Sequence, residues 1–215
     1  MPMHAIDPLN LLLTRSAQYE EELFSLFPDS AFQDDDKTIA ITSMCNIALE
    51  HSVAIRILIG AGIPTSAMSL LRLQYEALVR AVWLLYAASD SSISKLVAPL
   101  SQETEQAANS LPSFTTMMHE IEKKAPAAAF RHLKEFKDYS WKPLNSFVHG
   151  GIHAVKRNQD GYPAALLAQT VRNSNSISNL SAITLVCLIN NPSLTNVVAA
   201  VSARYPDCLQ LNAPA

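Results

Sequence analysis

The segment IPTSAMSLLRLQYEALVRAVWLLY, residues 63–86, contains only three charged side chains, those of Arg72, Glu76 and Arg80. They stand four positions apart, so on a helix that turns ~100° per residue they drift by only about 80° around the axis. Leucine, valine, alanine, methionine and aromatic residues form the rest of the circumference. A helix that is apolar on nearly every side is typical of the centre of a helical protein. The segment therefore predicts a central, buried helix.

The charged stripe of this helix has two interpretations. Burying several ionised groups is costly unless they are paired or have a task. In the structural interpretation, Arg72 and Arg80 flank Glu76, and Glu50 of the preceding helix supplies a second negative charge, which completes a neutral network. In the functional interpretation, one arginine is free to bind an anion such as phosphate. Both interpretations remain open at the level of the sequence.

The neighbouring segment predicts a partner for the central helix. Three aspartates at 34–36 can cap a second helix over about residues 37–59. The turn Gly60-Ala-Gly62 ends that helix, and Pro64 begins the central one. Because the link is so short, the two long apolar helices must form an antiparallel hairpin.

The remainder of the chain predicts further helices and no strands. We expect a first helix at about 8–26, which stops at 27–30, and short outer helices or a lid at 90–138. A further helix should begin at Trp141 and carry His149 and His153. Two last helices follow at about 164–189 and 193–203. The prediction is one all-α domain over residues 1–215, a multi-helix bundle with its core at about 37–190 and a central antiparallel helical hairpin.

The composition supports this fold and excludes several classes of protein. Of 215 residues, 49 % are hydrophobic, 16 % are charged and only five are glycine, which favours helices over the turn-rich sandwiches and barrels. The three cysteines form no CxxC motif, so a thiol-ligated zinc site is not expected. The N-terminus lacks the pattern of a signal peptide, and residues 173–203 are too polar to span a bilayer. We expect a cytoplasmic protein that does not enter a membrane.

A second notable string is NSFVHGGIH, residues 145–153. If it is helical, His149 and His153 lie on one face with the spacing of metal ligands, but a catalytic metal needs a third ligand, for which Glu50 or Glu76 would have to serve. We therefore predict no metal and no other cofactor. The two adjacent glycines would cost roughly 2 kcal/mol inside a helix, which indicates close packing or room for a ligand.

The same string offers acid–base chemistry without a metal. Lys142, Asn145 and His149 fall at positions 0, 3 and 7 of a helix, nearly on one face. Lys142 could neutralise a phosphate, Asn145 could orient the imidazole and His149 could transfer the proton in RNA cleavage. Residues 120–160 carry eight Lys or Arg against five acids, a balance that is more typical of solvated helix faces than of a nucleic-acid surface.

Two strings together, LRLQYEALVRAVW at 71–83 and LNSFVHGG at 144–151, resemble a group of uncharacterised bacterial helical proteins that are similar to the HEPN superfamily. The resemblance covers about residues 37–190 and implies an HEPN-like bundle that often forms a homodimer in which the histidine helices meet. It also implies a nucleotide- or RNA-related role, with His149 and Asn145 at the matching positions. The arginine of the HEPN nuclease motif has no match, since the nearest basic residue is Lys142, on the other side of Pro143.

From these observations we expect a polar centre formed by Arg72, Glu76, Arg80, Asn145 and His149 in a degenerate HEPN-type site. We expect binding to a nucleotide or RNA rather than catalysis; if the protein is an enzyme, it should be a metal-independent endoribonuclease. The first alternative is a non-enzymatic structural or interaction module with the charged stripe as internal scaffolding. The second is a metal-dependent bundle enzyme that uses His149 and His153.

Overall fold

The computed structural model describes residues 7–28 and 31–210. The N-terminal hexapeptide, half of the predicted helix stop at 27–30 and the last five residues lie outside the described residues. The described part contains ten α-helices and no strand, which confirms the all-α prediction. The helices are α1 (Pro8–Phe24), α2 (Asp36–Gly60), α3 (Pro64–Tyr86), α4 (Asp90–Val97), α5 (Gln102–Ala108), α6 (Phe114–Lys124), α7 (Ala127–Val148), α8 (Ile152–Asp160), α9 (Ala164–Ile189) and α10 (Pro192–Arg204).

The predicted hairpin is the centre of the fold: α2 and α3 pack along their whole length. Asp35 caps α2, because its carboxylate accepts hydrogen bonds from the amides of Lys37 and Thr38 at 3.0 Å each. At the other end Gly62 adopts a φ of 74°, a left-handed conformation that costs glycine little. The amide of Ile63 then donates to the carbonyl of Leu58 at 2.8 Å, which closes the turn before Pro64.

The third central helix, α9, packs against α1, α2 and α3. Its buried face mixes small polar side chains with apolar ones, since Ser174, Ser178 and Ser181 are all buried along the same helix as Ile177 and Leu185. The hydroxyls of Ser178 and Ser181 each donate a hydrogen bond to the carbonyl four residues earlier in α9. These buried donors therefore need no acceptor on another helix. Small side chains thus allow α9 to lie close to the hairpin. The core extends beyond residues 37–190, because α1 buries Tyr19 and Leu23 and α10 buries Val198 and Val201.

The outer layer differs from the prediction in one respect. The helices α4, α5 and α6 are short, as expected, but α7 is 22 residues long and passes through Pro143 without a break. A new helix does not begin at Trp141. Proline inside a helix removes one backbone donor, here the partner of the Tyr139 carbonyl. Tyr139 is 85 % exposed, so water can take the place of that donor and the helix continues.

By length and mean hydropathy alone, α2 is the one described helix that falls in the range of a membrane span. Core helices of globular proteins meet the same criterion. In this fold α2 packs against α1, α3 and α9 and contributes Arg56 to a buried ion pair.

Candidate functional site

Arg72 lies on the inner side of α3 and is only 8 % exposed. Its guanidinium carbon is 3.2 Å from the centre of the Trp141 ring on α7, and Trp141 stacks on Phe114 of α6 with 3.8 Å between ring centres. The charge is stabilised by the electron-rich ring face, a cation–π interaction that is strongest when water is excluded. Arg72 therefore joins α3 to α6 and α7 through these ring contacts.

The ion pair predicted between Arg72 and Glu76 is present, with Nη1 of the arginine against Oε1 of the glutamate. This contact is not a directed hydrogen bond: among the described residues, the buried Nε and Nη1 atoms of Arg72 have no hydrogen-bond acceptor. The Glu76 side chain is 38 % exposed, so the pair reaches from the interior to solvent. The aromatic stack, rather than the carboxylate, supplies most of the surroundings of the arginine.

The rest of the predicted charged network does not form. Arg80 is half-buried and makes no ion pair within the described part of the chain, and Glu50 is exposed. Glu50 lies in a groove between α1 and α2 and is not brought to the charged stripe of α3. The prediction that it supplies a second negative charge is wrong, because residue 50 falls on the outward face of α2, between the buried positions Leu49 and Ser52.

The charge that is deeply buried is one that sequence analysis missed. Glu20 of α1 is 2 % exposed, and its carboxylate accepts hydrogen bonds from Nε of Arg56 at 2.7 Å and from the Ser52 hydroxyl at 3.0 Å. The network continues from Ser52 to Ser174 at 3.2 Å and from Ser174 to the Gln74 amide oxygen at 2.8 Å. These side chains join α1, α2, α3 and α9 at the centre of the bundle.

A sequence signal for Glu20 was available. It stands four residues after Ser16 and three before Leu23, both of which are buried, and so lies on the inner face of α1. The Glu20-Glu21-Glu22 run obscured it, because three consecutive acids suggest a solvated surface. Burial raises the pKa of Glu20, and the nearby Arg56 guanidinium opposes that rise. We assign this network a structural role, since its side chains are buried or partly buried, hydrogen-bond to one another, and line neither the groove between α1 and α2 nor the smaller one at α4 and α5.

The glycine pair separates two helices instead of lying inside one. His149 is the C-cap of α7, Gly150 adopts a φ of 63°, and the amide of Gly151 donates to the Ser146 carbonyl at 2.7 Å. This is the Schellman arrangement that ends many helices. The Ser146 hydroxyl then accepts a hydrogen bond from the His153 amide at 2.9 Å and so caps α8.

The prediction that His149 and His153 share one helical face is therefore wrong. His149 ends α7, His153 stands in the first turn of α8, and both are exposed. Among the described residues no group of three His, Cys, Asp or Glu side chains is placed to hold a metal ion. His149 and His153 therefore do not form, with other side chains in residues 7–28 and 31–210, the donor set that a catalytic metal needs.

What the structure does show around this turn is an exposed basic surface. Lys142 and His149 are exposed at the end of α7, with half-buried Asn145 between them. On α8, His153 and Lys156 are exposed and Arg157 is half-buried, and the last two stand three and four residues after His153. No acid occurs between Asp138 and Asp160. We name this the α7–α8 surface and define it by Lys142, His149, His153, Lys156 and Arg157.

None of the five side chains of the α7–α8 surface forms an ion pair with another described residue. The His149 amide donates to the Asn145 carbonyl at 3.2 Å as part of the helix end, but within the same part of the chain no side-chain hydrogen bond links these two residues or joins either of them to Arg72. The predicted polar centre is thus divided, with Arg72 enclosed by aromatic rings and the α7 residues open to solvent. Such a surface can attract phosphate, but it does not hold an oriented acid–base pair.

The chain matches no curated protein and no solved structure. Residues 45–211 match a family model, and this range includes the α2–α3 hairpin from Cys45 onward, Arg72 and the whole α7–α8 surface. Because the match spans well over half of the chain, the protein belongs to DUF6988, a family of unknown function.

Proposed function

We propose that the protein binds RNA through the α7–α8 surface and does not cleave it. The observation that carries this proposal is the set of exposed basic side chains, around one turn, that lack acidic partners among the described residues. Cations of this kind bind phosphates by releasing the counterions that surround a nucleic acid. Free nucleotides share the phosphate chemistry and are the second ligand to test.

The ion pairs elsewhere in the molecule support this reading of the surface. Arg15 pairs with Asp207, Arg56 with Glu20, Lys134 with Asp138 and Arg204 with Glu22, so each of these cations is already neutralised. A charge that is already paired offers little to a phosphate. Lys142, Lys156 and Arg157 of the α7–α8 surface have no such carboxylate partner among the described residues.

The geometry supports binding more than catalysis. A general base must be held within hydrogen-bond reach of its proton and oriented by a neighbour. His149 ends a helix, is exposed and has no orienting partner among the described residues. The arginine of the HEPN nuclease motif has no match, and the nearest basic residue, Lys142, lies on the other side of Pro143. A degenerate HEPN-type site that binds RNA without cleaving it accounts for these features.

The proposal is tested with a fluorescently labelled single-stranded RNA and anisotropy. We expect the double variant K142A/K156A to bind at least tenfold more weakly than the wild type, because two phosphate contacts are lost. Lys123→Ala, at an exposed lysine of α6, is the matched control and should bind like the wild type. The same RNA, recovered after incubation, should be intact. Cleavage that disappears in His149→Ala would replace the binding proposal with a nuclease.

We further propose a cytoplasmic homodimer whose α7–α8 turns meet. Val148, Ile152 and Val155 are 39 %, 71 % and 50 % exposed beside this turn, an apolar set that a second copy would cover. Ile152→Glu should convert the dimer to a monomer in light scattering. If the wild type is monomeric at the same concentration, the dimer proposal fails.

An interaction module without RNA affinity is the second candidate function, and these same apolar residues favour it.

A further inference from the structure

A groove opens where the end of α1 and the following loop lie against α2. Its volume is about 580 Å³, a size typical of small-molecule sites. Three phenylalanines line it: Phe24 is the last residue of α1, Phe27 follows that helix, and Phe32 precedes α2. All three are half-buried, so their rings form a wall without being sealed in the core.

The charges in this groove have one sign. Asp34 and Glu50 line it, and none of its described lining residues is a lysine, arginine or histidine. Neither carboxylate forms an ion pair with a described residue. The combination of aromatic faces and carboxylates attracts an organic cation, because both the ring faces and the acids stabilise positive charge.

Four of the polar residues that line the groove follow one stripe of α2. Thr38, Thr42, Asn46 and Glu50 stand four residues apart and all line the groove. The two threonine hydroxyls donate to Asp35 and to backbone carbonyls, which leaves their lone pairs as acceptors. The stripe thus offers acceptors along about 18 Å, the length of twelve residues of helix.

We propose that this groove binds a linear aliphatic polyamine. One terminal ammonium group would meet Glu50, another would meet Asp34, and the methylene chain would lie on the phenylalanine wall. An amine with charges at separated positions suits acids that stand at opposite ends of a groove. A metal ion does not, since Asp34 lies before the start of α2 and Glu50 lies about 21 Å along that helix from its first residue, which is too far for both to share one ion.

The test is isothermal titration of the full-length protein with spermine. We expect saturable one-to-one binding that Glu50→Gln weakens at least tenfold and Glu50→Lys abolishes. Glu105→Gln, which removes an exposed charge of α5 outside the groove, is the matched control and should bind like the wild type. Since Glu50 is exposed, its variants should fold, and their circular dichroism should match that of the wild type.

Three results would overturn the proposal. The first is no saturable binding of spermine. The second is equal weakening by Glu50→Gln and Glu105→Gln, which would mean diffuse attraction to an acidic protein. The third is that Mg²⁺, added at the same concentration of positive charge as spermine, displaces it. That result would mean that the phenylalanine wall adds nothing to the affinity for spermine. Binding of a lysine-rich peptide without binding of spermine would point to a protein partner and would also reject the polyamine.

Discussion

At the scale of single residues, Arg72 shows how a buried cation is stabilised without a buried anion. The sequence placed a carboxylate four residues away, and the structure adds Trp141 and Phe114, which are about 70 and 40 positions distant along the chain. Spacing along one helix predicts the contact of Arg72 with Glu76, because the two residues are one turn apart. It cannot reveal the contact with Trp141, because an aromatic residue on α7 is brought to α3 only by the packing of the helices.

The energetic order of the two charged partners follows from this arrangement. Arg72→Ala removes the cation–π contact and buried packing and should lower the free energy of unfolding by about 2–3 kcal/mol. Glu76→Ala should cost only about 1–2 kcal/mol, since the carboxylate is partly solvated and the arginine keeps its stack. Urea unfolding measures both. A larger loss in Glu76→Ala than in Arg72→Ala would show that the ion pair dominates.

Gly151 is constrained by a neighbour rather than by its backbone. A Cβ atom at this position would lie 2.6 Å from the Ser146 hydroxyl oxygen and 3.3 Å from Ser146 Cα. Gly151→Ala should therefore cost about 1–2 kcal/mol, because Ser146 must rotate away and release the His153 amide.

A double-mutant cycle isolates this contact. In a Ser146→Ala background the hydroxyl is absent, and the cost of Gly151→Ala should fall by about half. Equal costs in the two backgrounds would mean that the glycine is needed for another reason.

At the scale of helices, the long apolar elements were predictable and the irregular ones were not. The predicted range of α9 agrees with the structure. The predicted ends of α2 and α3 lie within about one residue of the observed ends, because caps, prolines and turn glycines mark them. Pro143 was mistaken for a helix start since proline is compatible with both a first turn and an exposed helix interior. Glu20 was missed because local composition outweighed its position on the inner face of α1.

The Glu20 network makes a prediction about pH. Because burial raises the folded-state pKa of Glu20, its contribution to stability is fully present below the ordinary glutamate pKa and is lost as the pH rises through the folded pKa. Glu20→Gln lacks this titration. The stability of the wild type relative to Glu20→Gln should therefore decrease between pH 4.5 and pH 7.

Urea unfolding across this pH range tests the assignment. Glu21→Gln, at the exposed neighbouring residue, is the control, and its stability relative to the wild type should change little with pH. If the wild type gains stability over Glu20→Gln as the pH rises, attraction to Arg56 outweighs desolvation.

At the scale of the whole molecule, the polar side chains divide into groups with different tasks. The buried network around Glu20 holds the central helices, Arg72 holds the outer ones, and the α7–α8 surface leaves its charges open. The sequence predicted Lys142, Asn145 and His149 as candidate site residues. It could not show that His149 and Arg72 belong to different environments, because that depends on how α7 packs against α3.

The salt dependence of RNA binding tests the central claim most directly. Each cation that contacts a phosphate of single-stranded RNA contributes about −0.7 to the slope of log affinity against log salt concentration. The triple variant K142A/K156A/R157A should therefore have a slope that is shallower than that of the wild type by about 2. Lys123→Ala should retain the wild-type slope. An unchanged slope in the triple variant, or no salt-dependent binding by the wild type, would contradict the assignment of the α7–α8 surface to RNA.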